Sequence, residues 1–109
     1  MSDSKNPSPL TDNDIQDLLN EFSNCKMDYS NGVSKVIQKF KFSNYLDSLK
    51  FLLLIGNKID SMQHHPKIIC EWDHLTLEWW THSSRTLTSI DALMVRETQT
   101  IFRSFLSNK

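Results

Sequence analysis

The sequence predicts an α+β fold: a four-stranded antiparallel sheet with three helices packed on one face, in the order α-β-β-α-β-β-α. Three segments carry apolar residues at helical spacing, and shorter segments between them alternate apolar and polar residues. The dipeptide Asn31-Gly32 adds the signal of a tight hairpin turn. With 109 residues and 39% hydrophobic content, the chain can bury one modest core, so we expect a single domain over residues 11–109.

The first helix is predicted to begin after Thr11, which is a helix-capping residue type followed by acidic residues. Alternation then predicts a strand around residues 26–30, and the return strand follows the turn, over residues 36–42. The apolar stripe of the first helix consists of Ile15, Leu18, Leu19 and Phe22.

A central helix is predicted from about residue 44 to 62, and its broad apolar face is expected to pack along the sheet. Gly56 lies in its interior, where glycine lowers helix stability by roughly 1 kcal/mol relative to alanine, so we expect a close backbone approach there. The helix must end near Gln63, because Pro66 pushes the preceding residue out of the α region. The predicted face consists of Tyr45, Leu46, Leu49, Leu52, Leu53, Gly56 and Ile59.

Two strands are predicted next, over residues 68–72 and 74–82, and a last helix begins at residues 88–91 with a sequence similar to a capping box. A sheet that is covered on one face leaves the other face for solvent, ligand or another subunit, so we expect a homo-oligomer. In the second strand, Leu75, Leu77, Trp79 and Thr81 are predicted to face the helices, and His74, Thr76, Glu78, Trp80 and His82 to point away.

Composition excludes several classes of protein. A net charge of -1 gives no attraction to nucleic acid or to an anionic membrane, and the longest apolar run, residues 51–55, is too short to span a bilayer. Residues 1–10 lack the apolar region of a signal peptide and are predicted to form a disordered leader. Two cysteines without metal-binding spacing predict reduced thiols, so we expect the protein in the cytoplasm, with the nucleus accessible by diffusion.

Three of the four histidines lie in two short segments: Asp60-x3-His64-His65-Pro66 and Thr81-His82. Imidazole groups brought together in this way predict a site of proton transfer. The same histidines allow two alternative interpretations. They could lie at a solvated helix C-terminus, where histidine complements the helix dipole, or form a zinc site with three imidazole ligands. Adjacent histidines at a chain corner rarely converge on one ion, which argues against the metal.

These segments, with Trp72 between them and Asp91 after them, resemble the signature of the pterin-4a-carbinolamine dehydratases. The similarity covers roughly residues 40–102. Within the family, residues 75–82 with their paired tryptophans are most similar to the bacterial type associated with phenylalanine hydroxylase. Two positions depart from the family: Met27 replaces a tryptophan, with an expected effect on packing, and Thr86 replaces a glycine, with an expected effect on substrate fit or rate.

The resemblance implies that the protein dehydrates 4a-hydroxytetrahydropterin to quinonoid dihydropterin, which recycles tetrahydrobiopterin. Pterin is then the substrate, and neither a cofactor nor a metal is needed. His64 and His82 would be the principal proton-transfer residues, and His65 would contact substrate and serve as the alternative acid or base. Asp60, and Asp91 from a position near His82, would orient the imidazoles. The pterin would be bordered by these histidines together with Pro66, Thr81, Ser83 and Ser84.

The resemblance also implies a tetramer built as a dimer of dimers. Some animal members of the family additionally act as dimerisation cofactors of a transcription factor. A non-catalytic protein-interaction module is therefore the alternative function, although nothing in this sequence selects it.

Overall fold

The computed structural model describes residues 7–108 and confirms the predicted class and element order. Neighbouring strands are all antiparallel, in the order β1-β2-β4-β3. Within this range no helix is long and apolar enough to cross a membrane. The helices are α1 (Asp12–Glu21), α2 (Tyr45–Met62) and α3 (Ser89–Ser107), and the strands are β1 (Cys25–Ser30), β2 (Val33–Lys41), β3 (Lys67–Cys70) and β4 (His74–Trp79).

The predicted hairpin turn joins β1 to β2. Asn31 and Gly32 have φ values of 56° and 72°, which is the left-handed pair that a two-residue hairpin loop requires. Ser30 and Val33 are register partners directly beside this turn. The return strand therefore begins at Val33, three residues earlier than the sequence suggested.

One face of the sheet and the three helices enclose a single core. From β4, Leu75, Leu77 and Trp79 are fully buried, and from β2, Val36 and Phe40 are no more than 1% exposed. The β4 residues predicted to face the helices therefore lie in the core, but Thr76 and Glu78, which were predicted to point away, are buried as well, at 7% and 8% exposed. The helices contribute Leu18, Phe51, Ile55, Ile59, Met94 and Val95 to the same cluster.

Helix α2 packs on the sheet through a different face from the one predicted. Ser48, Phe51 and Ile55 are fully buried, whereas most of the predicted face is exposed. Because α2 carries apolar residues around most of its circumference, periodicity alone does not decide which side meets the sheet. The surface is left with an apolar stripe, the α2 stripe, formed by Tyr45 (49% exposed), Leu46 (64%), Leu49 (37%) and Leu53 (72%).

The third and fourth strands are shorter than predicted. Strand β3 ends at Cys70, and Trp72 is 69% exposed beyond it. Strand β4 ends at Trp79, because the chain then turns back on itself: the Thr81 amide donates to the Thr86 carbonyl at 2.9 Å. His82 therefore lies on a loop rather than at the end of a strand.

The chain before α1 is paired with the start of α3. The Leu10 amide donates to the Leu87 carbonyl at 3.0 Å, and the Ser89 amide donates to the Ser8 carbonyl at 2.8 Å. Residues 8–10 therefore pack with the domain, although the sequence placed them in the leader. Residues 1–6 of the predicted leader lie outside the described residues.

Both cysteines are free thiols, as predicted. Cys25 lies in the core, and burial raises its pKa to about 12. A thiol with this pKa remains protonated at neutral pH, and the reactive species of cysteine is the thiolate. Cys25 is thus an inert core residue.

The close approach expected at Gly56 is not found within the chain: apart from its chain neighbours and the backbone of its own helix, a Cβ added there meets no described atom within 4 Å. We expect Gly56→Ala to raise the free energy of unfolding by about 0.5–1 kcal/mol, because alanine loses less backbone entropy on folding. Urea denaturation measures the change.

The second glycine provides the matched control. Gly32→Ala should lower stability, because the φ of Gly32 is 72° and strains an L-residue. A Gly56→Ala variant less stable than wild type would show that α2 needs its glycine.

Candidate active site

A pocket of about 340 Å³ opens where the end of α2, the loop after β4 and the start of α3 meet. Three histidines from two segments line it, so the structure brings together the imidazoles that the sequence singled out. Thr81 and Ser83, also predicted, lie beside them. The full lining consists of Pro7, Met62, Gln63, His64, His65, Thr81, His82, Ser83 and Ile90.

The corner after α2 directly precedes the two adjacent histidines. Helix α2 ends at Met62, and Gln63 adopts a left-handed conformation with φ 52° and ψ 39°. Its amide nitrogen and its side-chain Nε2 both donate to the Asp60 carbonyl, at 3.2 and 2.6 Å. Beyond this corner His64 is half-buried, and His65 is exposed at the pocket.

His64 is held by a buried carboxylate. Its Nε2 lies 2.6 Å from Oδ1 of Asp91, whose side chain is only 1% exposed. With Asp91 ionised, Nε2–H donates, and Nδ1 is left as the ring nitrogen that is available to a ligand. The His64 ring also lies parallel to the Trp79 indole, with 6.1 Å between ring centroids and 8° between planes.

The second oxygen of Asp91 organises the start of α3. Oδ2 accepts from the Thr88 amide at 3.0 Å and from the Thr81 hydroxyl at 2.7 Å. The Thr81 hydroxyl proton is used in this bond, so the Thr88 hydroxyl donates to the Thr81 oxygen at 2.6 Å. Asp91 therefore caps the helix and orients an imidazole at once. That imidazole belongs to His64, whereas the resemblance had placed Asp91 near His82.

His82 is positioned differently. It is exposed on the loop after β4, and it makes no hydrogen bond to any residue in the range 7–108. Its ring instead stacks on the Trp80 indole, with 4.5 Å between centroids and 8° between planes. The two histidines are thus held by unlike means, one by a carboxylate and one by an aromatic ring.

Asp60 does not join the pocket. It is exposed, and across residues 7–108 its carboxylate has neither a hydrogen bond nor an ion pair, so no side-chain contact supports the predicted role in orienting His64. Pro66 and Ser84 adjoin pocket residues without lining the pocket. No three His, Cys, Asp or Glu side chains of the described chain are grouped so that they could hold a metal ion.

Four lining residues were missed by the sequence: Pro7, Met62, Gln63 and Ile90. Three of them had an available signal, since Met62 and Gln63 directly precede the histidine pair and Ile90 directly precedes Asp91. Pro7 had no local signal. It reaches the pocket because the neighbouring Pro9 is bridged to Thr88.

The two departures from the family are accommodated locally. Met27 is the register partner of Val36 and packs against the core, so the expected effect of this residue on packing stays a prediction. Thr86 has no positive φ, so its conformation does not require glycine. Its carbonyl closes the loop by accepting from the Thr81 amide.

A family model described as pterin 4 alpha carbinolamine dehydratase matches residues 8–101 of the chain. The chain belongs to this family. The match includes both histidine segments and Asp91, so every residue that lines the pocket except Pro7 lies within the matched part of the chain.

Bacterial relatives support the same assignment. A protein of Chlorobium luteolum is 33% identical over 95 residues, covering 87% of this chain and 83% of that protein. A protein of Chlorobium limicola is 31% identical over 91 residues, covering 84% and 80%. Both are provisionally named pterin-4-alpha-carbinolamine dehydratase.

The fold also has a solved counterpart. The crystal structure of a transcriptional coactivator/pterin dehydratase from Brucella melitensis superposes with a TM-score of 0.74 at 20% sequence identity. The superposition covers 86% of this chain and 98% of that chain. At 20% identity this similarity establishes the shared fold alone.

We expect Asp91→Asn to lower the free energy of unfolding by about 1–3 kcal/mol, because an amide cannot accept all the hydrogen bonds that the buried carboxylate accepts. An amide NH₂ facing Nε2 would also move the His64 proton to Nδ1. Nitrogen-15 NMR of the histidine rings measures the tautomer. His74, whose Nδ1 lies 2.6 Å from Asp73, is the internal control and should be unchanged. An unchanged His64 spectrum would contradict the assignment.

Proposed function

We propose that the protein dehydrates 4a-hydroxytetrahydropterin to quinonoid dihydropterin, and thereby recycles tetrahydrobiopterin. Family membership over residues 8–101 and the names of the bacterial relatives support the reaction. The observation that carries it is the meeting of three imidazoles at one pocket, with one of them, His64, held by the buried Asp91. The pocket volume, about 340 Å³, is in the range of small-molecule sites.

The reaction requires two proton transfers. One group donates a proton to the 4a-hydroxyl, and the C4a–O bond breaks with its electron pair leaving on water. A second group takes the proton from N5, and the electrons of the N5–H bond form the C4a=N5 double bond. Imidazole performs either task near neutral pH, because its unperturbed pKa of about 6.5 leaves both forms populated.

In this proposal His64 and His82 perform the two transfers, and His65 contacts the substrate. His64 acts through Nδ1, the nitrogen that Asp91 leaves free. Thr81 and Ser83 border the ligand. Both transfers use side chains of the chain itself, so the proposed mechanism calls on neither a metal ion nor a cofactor.

We expect His64→Ala and His82→Ala each to lower kcat by about 10²–10⁴-fold, the usual contribution of a positioned general acid or base. The assay follows quinonoid dihydropterin after the protein is mixed with chemically generated 4a-hydroxytetrahydropterin. His74→Ala is the matched control, because His74 begins β4, pairs with Asp73 and does not line the pocket. Wild-type turnover in both pocket variants would refute the catalytic assignment.

The interaction module is the competing function. The name of the Brucella structure joins a coactivator role to a dehydratase role, but its 20% identity to this chain supports the fold alone. The same assay separates the two functions. A wild-type protein that does not accelerate the dehydration, yet binds a protein partner, would favour the module.

We also propose that the protein is a homo-oligomer, with a tetramer as the form that the family resemblance implies. The α2 stripe supports this proposal, because four large apolar side chains on one exposed helix face are typical of a surface that associates. A closed symmetric assembly of identical chains would bury the stripe of one copy against that of another.

Light scattering should give a mass near four times the 12.7 kDa of one chain. Leu53→Glu should reduce that mass, because it places a charge at the most exposed leucine of the stripe, 72% exposed. Leu106→Glu is the control: Leu106 is 48% exposed but lies on α3, outside the stripe. A monomeric wild type at micromolar concentration would contradict the oligomer.

A further inference from the structure

We propose that Trp80 is a positioning residue, which holds the His82 imidazole in the orientation that proton transfer requires. This inference rests on the proposed function and assigns one more residue to it. Trp80 is not among the residues that line the pocket, so it would act through His82 rather than on the substrate.

The need for a positioning residue follows from the surroundings of His82. The His64 side chain is 14% exposed and hydrogen-bonded to Asp91, whereas His82 is exposed and has no hydrogen bond within the described chain. An exposed side chain on a loop samples several rotamers unless a contact selects one. The only ring contact of His82 among residues 7–108 is the parallel stack on Trp80, at 4.5 Å and 8°.

Trp80 is itself held in place. Val36 and Trp79 are register partners in the antiparallel pair of β2 and β4. The next residues outward, Lys35 before Val36 and Trp80 after Trp79, therefore lie opposite each other. The Lys35 Nζ lies 5.2 Å from the centroid of the Trp80 ring, within cation–π distance. Glu78 fixes that ammonium group at 2.8 Å, and Asp28 lies 4.0 Å from it. The indole is thus kept against the sheet by an anchored charge.

Trp79 is the last residue of β4 and Trp80 directly follows it, and each tryptophan stacks on a different imidazole. Successive side chains of an extended chain point to opposite faces, so Trp79 enters the core and Trp80 lies on the other face. The Trp79 ring is parallel to His64, and the Trp80 ring is parallel to His82. Because Trp80 lies outside the core cluster, it can be replaced with little effect on the core.

The test compares Trp80→Leu with Trp80→Phe in the dehydration assay. We expect Trp80→Leu to lower kcat by about 10–100-fold and to change KM by less than about 3-fold, because misplacing a reacting group affects the chemical step most. Trp80→Phe should restore most of the activity, since phenylalanine retains a ring for stacking. Trp72→Leu is the matched control: Trp72 is 69% exposed and does not line the pocket.

Proton NMR gives a readout that a general loss of stability would not produce. In wild type, the indole ring current should shift the His82 ring protons upfield of those of His65. The shift should disappear in Trp80→Leu and persist in reduced form in Trp80→Phe. Wild-type protons without the shift would overturn the inference even if Trp80→Leu failed to fold.

The two proposals fail in different ways. A wild type that does not accelerate dehydration would overturn the function, while the His82 shift would still decide the stacking. A normal kcat in Trp80→Leu beside an inactive His82→Ala would overturn the role of Trp80 and leave the function intact. In Trp80→Leu, a reduced kcat together with His82 ring protons that keep their wild-type upfield shift would also overturn that role.

Discussion

The hydrogen bond between His64 and Asp91 joins the C-terminal end of α2 to the first turn of α3, and the pocket lies where these helices meet. Asp91 is suited to this position, because a carboxylate in the first turn of a helix interacts favourably with the helix dipole. Its bonds to Thr81 and the Thr88 amide connect the loop after β4 to the same point. One buried carboxylate therefore ties together the three segments that form the site.

The site combines a rigid imidazole with a more accessible one. His64 is fixed by a charge-assisted hydrogen bond, which selects both its orientation and its tautomer. His82 is oriented through ring stacking on the outer side of the sheet. His82 and His65 line the pocket as exposed residues, whereas His64 lines it in a half-buried position.

The candidate site was largely predictable because its chemistry is concentrated in short segments. Pro66 disfavours a helical conformation for His65, and α2 indeed ends at Met62, so the sequence places His64 and His65 just after a helix end. The partner of Asp91 was not predictable. An aspartate that only caps a helix and an aspartate that also binds a distant histidine look the same in the local sequence. Asp60 lies one helical turn before His64, but its carboxylate is exposed, so its role in orienting that imidazole stays a prediction.

The sequence by itself determined the fold class, the order of the elements, the Asn31-Gly32 turn and the identity of the imidazoles, since periodicity, turn chemistry and residue type are local properties. The tertiary structure decided which side of α2 meets the sheet, because Phe51 and the exposed Leu53 are equally apolar in sequence and differ only in what lies opposite them. It also decided that Pro7 reaches the pocket and that His64 pairs with Asp91, 27 residues away. These outcomes depend on contacts between distant segments, which no local pattern encodes.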